Sequence, residues 1–264
     1  MYVDVHAHLT HDAFTADRDD VIQSAADAGV EAVIVNGLEP TSNREILRLA
    51  EQHPHLHAAC GIYPVDAIAG QIDSSSWAYD FPPPTPFDVD AEIDWIDAHA
   101  DRLVAIGECG LDQYWITDQA EEQERVLRRL CEVAKKHDKA VILHSRKAEL
   151  RTFEILQELG VTKADFHCFC GKLKLARRIA DAGYYLSIPP VVERAENFQH
   201  MARSLPLDRL LTETDCPFMG PDREARNEPA NVTRGIAAMA TARGITAEEM
   251  ATAVRENCRR LFGI

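Results

Sequence analysis

The segment Asp4-Val5-His6-Ala7-His8 sets two imidazoles two residues apart near the start of the chain. Residues two apart on an extended strand share a face, so His6 and His8 project together, with Asp4 one step behind them. Two imidazoles at a strand end are half of a site for a divalent metal ion. A lone histidine in such a place is more often a solvated or hydrogen-bonded loop residue, so the pair needs context before it carries chemistry.

Later segments supply that context. Glu108 ends the run Val104-Ala105-Ile106-Gly107-Glu108, and His144 ends Val141-Ile142-Leu143-His144. His167 lies in Phe166-His167-Cys168-Phe169. Asp215 ends Leu211-Thr212-Glu213-Thr214-Asp215, with Pro217 stopping the strand. Imidazole and carboxylate donors of this kind suit Zn, Mn, Fe or Co and need no cysteine; Mg is a further candidate. His6, His8, Glu108, His144, His167 and Asp215 are too many for one tetrahedral structural site. They suffice for two ions ~3.5–4 Å apart that share a carboxylate and keep open positions. Glu108 is then the candidate bridge. Asp215 is the candidate to hold one ion and accept a proton from an attacking water, whose pKa the metals lower toward ~7. That is metal-assisted hydrolysis, with one or two divalent ions as cofactor.

These donors can meet only if the elements beneath them align. Short apolar runs rich in β-branched residues start at Tyr2, Ala32, His57, Val104, Ala140, Ala164, Tyr184 and Leu210. Amphipathic stretches separate nearly all of them: 17–28, 41–52, 118–137, 148–159, 173–182 and 195–205, with two more, 230–243 and 247–261, closing the chain. The near-continuous apolar character of the runs fits strands buried on both faces of a parallel sheet. Eight βα units in ~250 residues is the size of a (β/α)8 TIM barrel, whose strands all end at one mouth. The fold class expected is therefore α/β, a TIM barrel with its metal site at the C-terminal face of the strands. An open doubly wound sheet is disfavoured, because Ala7-His8-Leu9-Thr10 is nothing like the glycine-rich turn that should follow its first strand.

Residues 64–90 break the rhythm with Ser74-Ser75-Ser76 and Pro82-Pro83-Pro84-Thr85-Pro86, interleaved with Trp77, Tyr79, Phe81 and Phe87. The prolines forbid a long helix. The segment reads either as an ordered insertion forming a substrate wall on the C-terminal face or as an inert surface excursion. No repeat or linker divides the chain, so residues 1–264 are expected to form one domain.

In order along the chain, the motifs resemble those of the TatD family of metal-dependent hydrolases, within the wider amidohydrolase-like barrels. Asp4 to Leu9 is similar to that family's D-x-H-x-H-L, and Gly107 to Asp112 to its G-E-x-G-L-D. His144-Ser145-Arg146 resembles H-S/C-R, and His167 to Gly171 resembles H-x-F-x-G. Glu213 to Pro217 resembles E-T-D-x-P, and Arg226 to Pro229 resembles R-N-x-P. The resemblance implies a TIM barrel and divalent-metal-dependent hydrolysis of DNA phosphodiesters, commonly as an exonuclease. It also implies metal-ligand roles for the six residues named above.

The chain departs from the family in two places. Gly61-Ile62-Tyr63-Pro64 stands where G-x-H-P is usual, and a phenol titrating near ~10 cannot replace that imidazole as a ligand or as an acid near neutrality. Tyr63 is expected either to donate a hydrogen bond to a phosphoryl oxygen or to mark a changed specificity. That keeps open an ester or amide hydrolase such as a D-aminoacyl-tRNA deacylase; a noncatalytic metal-binding barrel is the third reading. Lys172 stands where a small hydroxyl residue is frequent, and it either contacts phosphate or points to water.

Arg146 either clamps a phosphate or pairs with a neighbouring acid. Arg226 is a candidate for the substrate rim. Glu213 shares the face of Asp215 and is expected to support a ligand or the active-site water from behind. Asp112 and Asn227 read as loop-structuring residues. His53, His55 and His57 precede or begin the third strand, so they belong at the opposite end of a barrel.

Charge bounds the partners. Forty-three acidic residues against 28 basic ones give a net charge of −15, which excludes a general nucleic-acid coat. DNA or another phosphodiester or ester substrate must therefore be held by metal ions or by a local patch. Seven cysteines without a CxxC pair read as reduced thiols. With no apolar run long enough for a membrane helix and no leader pattern at the N-terminus, a cytoplasmic location is expected, with no membrane contact and no obligatory protein partner.

Overall fold

The computed structural model describes residues 1–73, 75, 77, 79 and 82–264. Eight strands form one sheet in the order β1 to β8: Tyr2–Ala7, Val30–Asn36, Leu56–Cys60, Ala105–Gly110, Ala140–His144, Ala164–Phe166, Tyr185–Ile188 and Leu210–Thr212. Each pairs in parallel with the next. β8 and the residues after it return to β1 through contacts that include Asp215 N–H donating to His6 O at 2.8 Å, His8 N–H to Cys216 O at 3.0 Å, and Thr212 Oγ1 to Val3 O at 2.8 Å. The expected TIM barrel is thus observed, and its strands end at a common mouth.

Ten α-helices are described: α1 (Arg18–Asp27), α2 (Pro40–Gln52), α3 (Pro64–Ala67), α4 (Val89–Ala98), α5 (Ala120–Lys136), α6 (Glu149–Leu159), α7 (Leu173–Asp181), α8 (Glu196–Ser204), α9 (Val232–Arg243) and α10 (Ala247–Phe262). Local chemistry sets their ends. Glu39 accepts from Thr41 and Ser42 N–H ahead of α2, with Pro40 at its first position. Thr246 and Glu249 form a reciprocal capping box at the start of α10. The helices lay apolar faces such as Ile46 and Leu49, Val126 and Leu130, and Ile155 and Leu156 against the outside of the barrel, where each is buried.

Helix α4 has no counterpart in the sequence reading. Asp88 caps it by accepting from Ala91 N–H at 3.0 Å, and Ile93 and Ile96 are buried beneath it. The proline run next to it hides this short amphipathic signal. Among the described residues of segment 64–90 no long helix is found, in keeping with its prolines: α3 and a 3-10 turn at Ala69–Gln71 open it. Ser74, Ser76 and Phe81 of the expected insertion lie outside the described residues. His57 sits at the start of β3 and lines a cavity with Val3, Arg255, Arg259 and Ile264, at the barrel end opposite the proposed site, as expected. Among the described residues no helix is long and apolar enough to cross a membrane. All seven cysteines are free.

Close backbone approach at the ends of β4 and β5 fixes the register that the site needs. Gly110 adopts φ +151°, and a Cβ there would lie 1.8 Å from His144 O. Gly160, at the end of α6 with φ +64°, has open space around it. Gly110→Ala should therefore cost ~3 kcal/mol or more by forcing two strands apart. Gly160→Ala should cost only the left-handed backbone penalty, about 1–2 kcal/mol. Urea unfolding of the two variants checks this, and equal losses would show that the β4–β5 junction tolerates expansion.

Candidate metal centre

The six donors meet at the mouth around one carboxylate. Glu108 Oε2 lies 3.3 Å from His6 Nε2 and 3.4 Å from His8 Nε2. Its other oxygen, Oε1, lies 2.9 Å from both His144 Nδ1 and His167 Nε2. Asp215 Oδ1 joins the first group, 3.3 Å from His8 Nε2 and 3.8 Å from His6 Nε2. Two clusters of donors thus share Glu108, one on each oxygen, and donor atoms of His6, His8 and Glu108, and of Glu108, His144 and His167, fall within 4.8 Å of one another.

Strand geometry explains the convergence. His6 stands on β1, Glu108 on β4 and His144 at the end of β5, while His8, His167 and Asp215 stand just past β1, β6 and β8. Asp215 and Cys168 have φ of 53° and 43°, left-handed values that non-glycine residues hold at a cost of about 1–3 kcal/mol. At Asp215 the turn is secured by its N–H on His6 O and by Phe218 N–H on its own carbonyl.

Supporting contacts aim the ligand atoms. His144 Nε2 is 2.8 Å from Asp112 Oδ2, which leaves Nδ1 as the lone pair turned toward Glu108. Asp112 is itself fixed, because its Oδ1 accepts from Tyr114 and Trp115 N–H at 2.8 and 3.0 Å. Behind His167, Glu213 accepts from Cys168 N–H at 2.7 Å and brings Oε2 to 3.6 Å from His167 Nδ1. Asp4 accepts from His6 and Thr214 N–H and from the Thr214 hydroxyl, tying β1 to the end of β8.

The donor set fits divalent cations. His6 Nε2 and His8 Nε2 are 3.0 Å apart, and His144 Nδ1 faces Glu108 Oε1 at 2.9 Å. Lone pair against lone pair at such distances is repulsive unless a proton or a metal ion lies between. Burial by itself would raise the Glu108 carboxyl. The positive charge of His167 and His6, with the hydrogen bond from His167, outweighs it and holds the group well below the usual carboxylate range. Burial disfavours charge on His167 too, yet Glu108 lifts it well above an ordinary histidine. The pocket is thus built around an ionised carboxylate that positive charge must match.

Sequence reasoning undervalued Asp112. It shapes its loop as expected, but it also orients His144 and receives the Tyr63 hydroxyl at 3.1 Å. The signal was present in its place four residues after Glu108, beside the mouth. Tyr63 does not present its hydroxyl as a free donor: it reaches the same Asp112 oxygen as His144, with its ring edge-on to that imidazole at 4.9 Å. Burial, reinforced by Asp112, pushes its phenol well above its ordinary value and keeps it a neutral donor.

Arg226 is gripped through both its terminal nitrogens by Asp17, at 2.7 and 2.8 Å, so those donors are already engaged. Arg146 pairs with no carboxylate among the described residues and lies 3.6 Å over the Tyr114 ring. Lys172 is exposed at the start of α7. Asn227 bonds Thr214 and Phe218 carbonyls, a loop-structuring role.

A closed parallel barrel with a histidine and carboxylate pocket at its carboxyl mouth is the architecture of a metal-dependent hydrolase. The family described as TatD related DNase matches residues 3–263, and the chain belongs to it. It is 35% identical to Deoxyribonuclease TATDN3 of Homo sapiens, over 98% of this chain and 94% of that protein. It is 33% identical to Uncharacterized metal-dependent hydrolase YabD of Bacillus subtilis, over 100% of each. The crystal structure of YjjV, a TatD homolog from Escherichia coli, has a TM-score of 0.86 at 29% identity, covering 100% of this chain and 98% of that one.

If Asp112 orients His144, Asp112→Asn should weaken divalent-ion binding by ~10–100-fold. Tyr63→Phe, which removes one hydrogen bond to the same oxygen, should weaken it by roughly tenfold at most. Calorimetric titration with Mn²⁺ or Zn²⁺ measures both, and wild-type affinity in Asp112→Asn would detach that residue from the site.

Proposed function

We propose that this chain is a divalent-metal-dependent deoxyribonuclease that cleaves DNA phosphodiester bonds, working from strand ends, with residues 1–264 acting as one catalytic domain. The observation that carries the reading is the sharing of Glu108 between two histidine clusters, because a bridging carboxylate is what two adjacent cations require. In this reading His6, His8, Asp215 and Glu108 would hold one ion, and His144, His167 and Glu108 would hold the other. The relatives named as deoxyribonucleases support DNA as substrate. The free state of all seven cysteines accords with a cytoplasmic setting.

Divalent ions held here would supply Lewis-acid polarisation of a phosphoryl oxygen and acidify the attacking water. The residues of the chain do the rest. Asp215 is the most exposed of the four groups in its cluster, with 14% of its side-chain surface accessible, and it stands where it can accept the proton of that water. Glu108 is almost fully buried and stays ionised between the histidines. Glu213 steadies His167, and Tyr63 acts through Asp112 on His144. Arg146 and Lys172 rise from the loops after β5 and β6 and are free to meet phosphate oxygens, whereas Arg226 remains with Asp17. An ester or amide hydrolase was kept open by Tyr63 standing where the family has histidine, and the relatives named as deoxyribonucleases favour DNA over it.

Protein stripped of metal by a chelator should release no nucleotides from 3′-ended single-stranded DNA, and Mn²⁺, Zn²⁺, Co²⁺ or Mg²⁺ should restore release. Asp215→Asn should keep much of its metal yet lose roughly 10³-fold or more in turnover. Near wild-type turnover in that variant would remove Asp215 from the chemistry. Failure of every ion to elicit cleavage would overturn the nuclease reading.

A further inference from the structure

We infer that Tyr114, Trp115 and Arg146, extended by Trp77 and Tyr79, form a subsite on which the bases of an unpaired DNA strand stack beside the metal centre. The inference rests on the nuclease reading above and deepens it. The rings form a continuous ladder: Trp77 to Tyr79, Tyr79 to Trp115 and Trp115 to Tyr114 each meet edge-to-face with centroids 4.8 Å apart. The Arg146 guanidinium caps it, 3.6 Å over Tyr114 and 5.0 Å from Trp115. The Tyr79 hydroxyl donates to Trp115 O, fastening the insertion after β3 to the loop after β4.

The ladder is anchored to the reacting centre. Asp112 takes Tyr114 and Trp115 N–H on one oxygen and His144 on the other, and Arg146 follows His144 by two residues. A phosphodiester at the donors therefore has this rim as its neighbour.

Two features point to the occupant. Tyr114 is among the few large apolar side chains that stay exposed, at 48%. Arg146 has no carboxylate partner among the described residues, although acids outnumber bases 43 to 28. Elsewhere on the surface Arg125 and Arg234 each hold two carboxylates and Arg151 holds three. An exposed ring topped by an uncommitted guanidinium suits a flat, electron-rich partner next to an anion, which is an unpaired nucleotide. A duplex keeps its bases stacked and binds through phosphates spread along its length, which a chain of net charge −15 is poorly built to neutralise.

The test measures kcat/KM of the metal-loaded enzyme on three substrates: a single-stranded oligonucleotide, the same strand with abasic residues flanking the scissile bond, and its blunt duplex. Wild type should prefer the base-bearing strand over the abasic one by roughly tenfold. Tyr114→Ala and Arg146→Ala should bring that ratio to within about twofold of unity, while Tyr114→Phe, which keeps the ring, should preserve it. Equal use of abasic and base-bearing strands by wild type, an undiminished ratio in both alanine variants, or a preference for the duplex would overturn the subsite. If no DNA is cut at all, the nuclease reading fails separately. Quenching of tryptophan fluorescence by the oligonucleotide then decides the subsite: quenching that Tyr114→Ala weakens about tenfold supports it, and no quenching refutes it.

Discussion

A buried, ionised Glu108 is the constraint around which this molecule is arranged. Taking a carboxylate out of water costs several kcal/mol unless nearby charge and hydrogen bonds replace the lost hydration. Among the described residues no lysine or arginine ion-pairs with Glu108, and its neighbours are His6, His8, His144 and His167. Imidazoles can offer a proton or a lone pair. The pocket is therefore satisfied either by protonated histidines or by cations with neutral histidines, and never by the bare donors alone. That choice makes it a place for metal ions rather than a static ion-pair network.

The barrel gives up part of its apolar interior to hold this arrangement. Beneath the histidines lie Asp4, Asp165, Ser187 and Glu213, all fully buried. The Ser187 hydroxyl is 2.8 Å from Asp165 and 2.9 Å from Glu213, yet it has one hydrogen for two carboxyls. Burial first, and the charge of Glu213 with it, pushes the Asp165 carboxyl up to about 7. A proton on Asp165 closes the set: Asp165 donates to Ser187 and Ser187 to Glu213, whose Oε2 faces His167 Nδ1 at 3.6 Å. A layer that branched aliphatics fill in most such barrels is here a polar scaffold that sets the orientation of metal-facing rings.

How much of this was legible in the sequence depended on how local each cause is. His6 and His8 declared themselves through a two-residue spacing, and Glu108, His144 and Asp215 through their places at the ends of apolar runs. Strand period and βα alternation then sufficed to bring them to one mouth. The triangle of Tyr63, Asp112 and His144 was not legible, because it depends on how two loops fold back over 49 and 32 residues of chain. The pairing of Arg226 with Asp17 spans 209 residues and no periodicity encodes it. Helix α4 was masked by neighbouring prolines, although its Asp88 cap and the buried pair Ile93 and Ile96 were there to be read.

Electrostatics connects these observations. The acidic surface repels polyanions at long range, so attraction for a phosphodiester has to be concentrated at the mouth. Surface arginines such as Arg125, Arg151 and Arg234 are tied to carboxylates, and their positive charge is spent within the protein. What remains near the donors is Arg146, Lys172 and whatever charge the histidine and carboxylate clusters take up as cations. Affinity for an anionic substrate then depends on the metals being bound, since without them the mouth opens on the carboxylates of Asp215 and Glu108, with Asp112 and Glu213 buried behind them. Cations held here would then both activate water and admit the substrate, and a metal-free molecule is expected to be silent in binding as well as in chemistry.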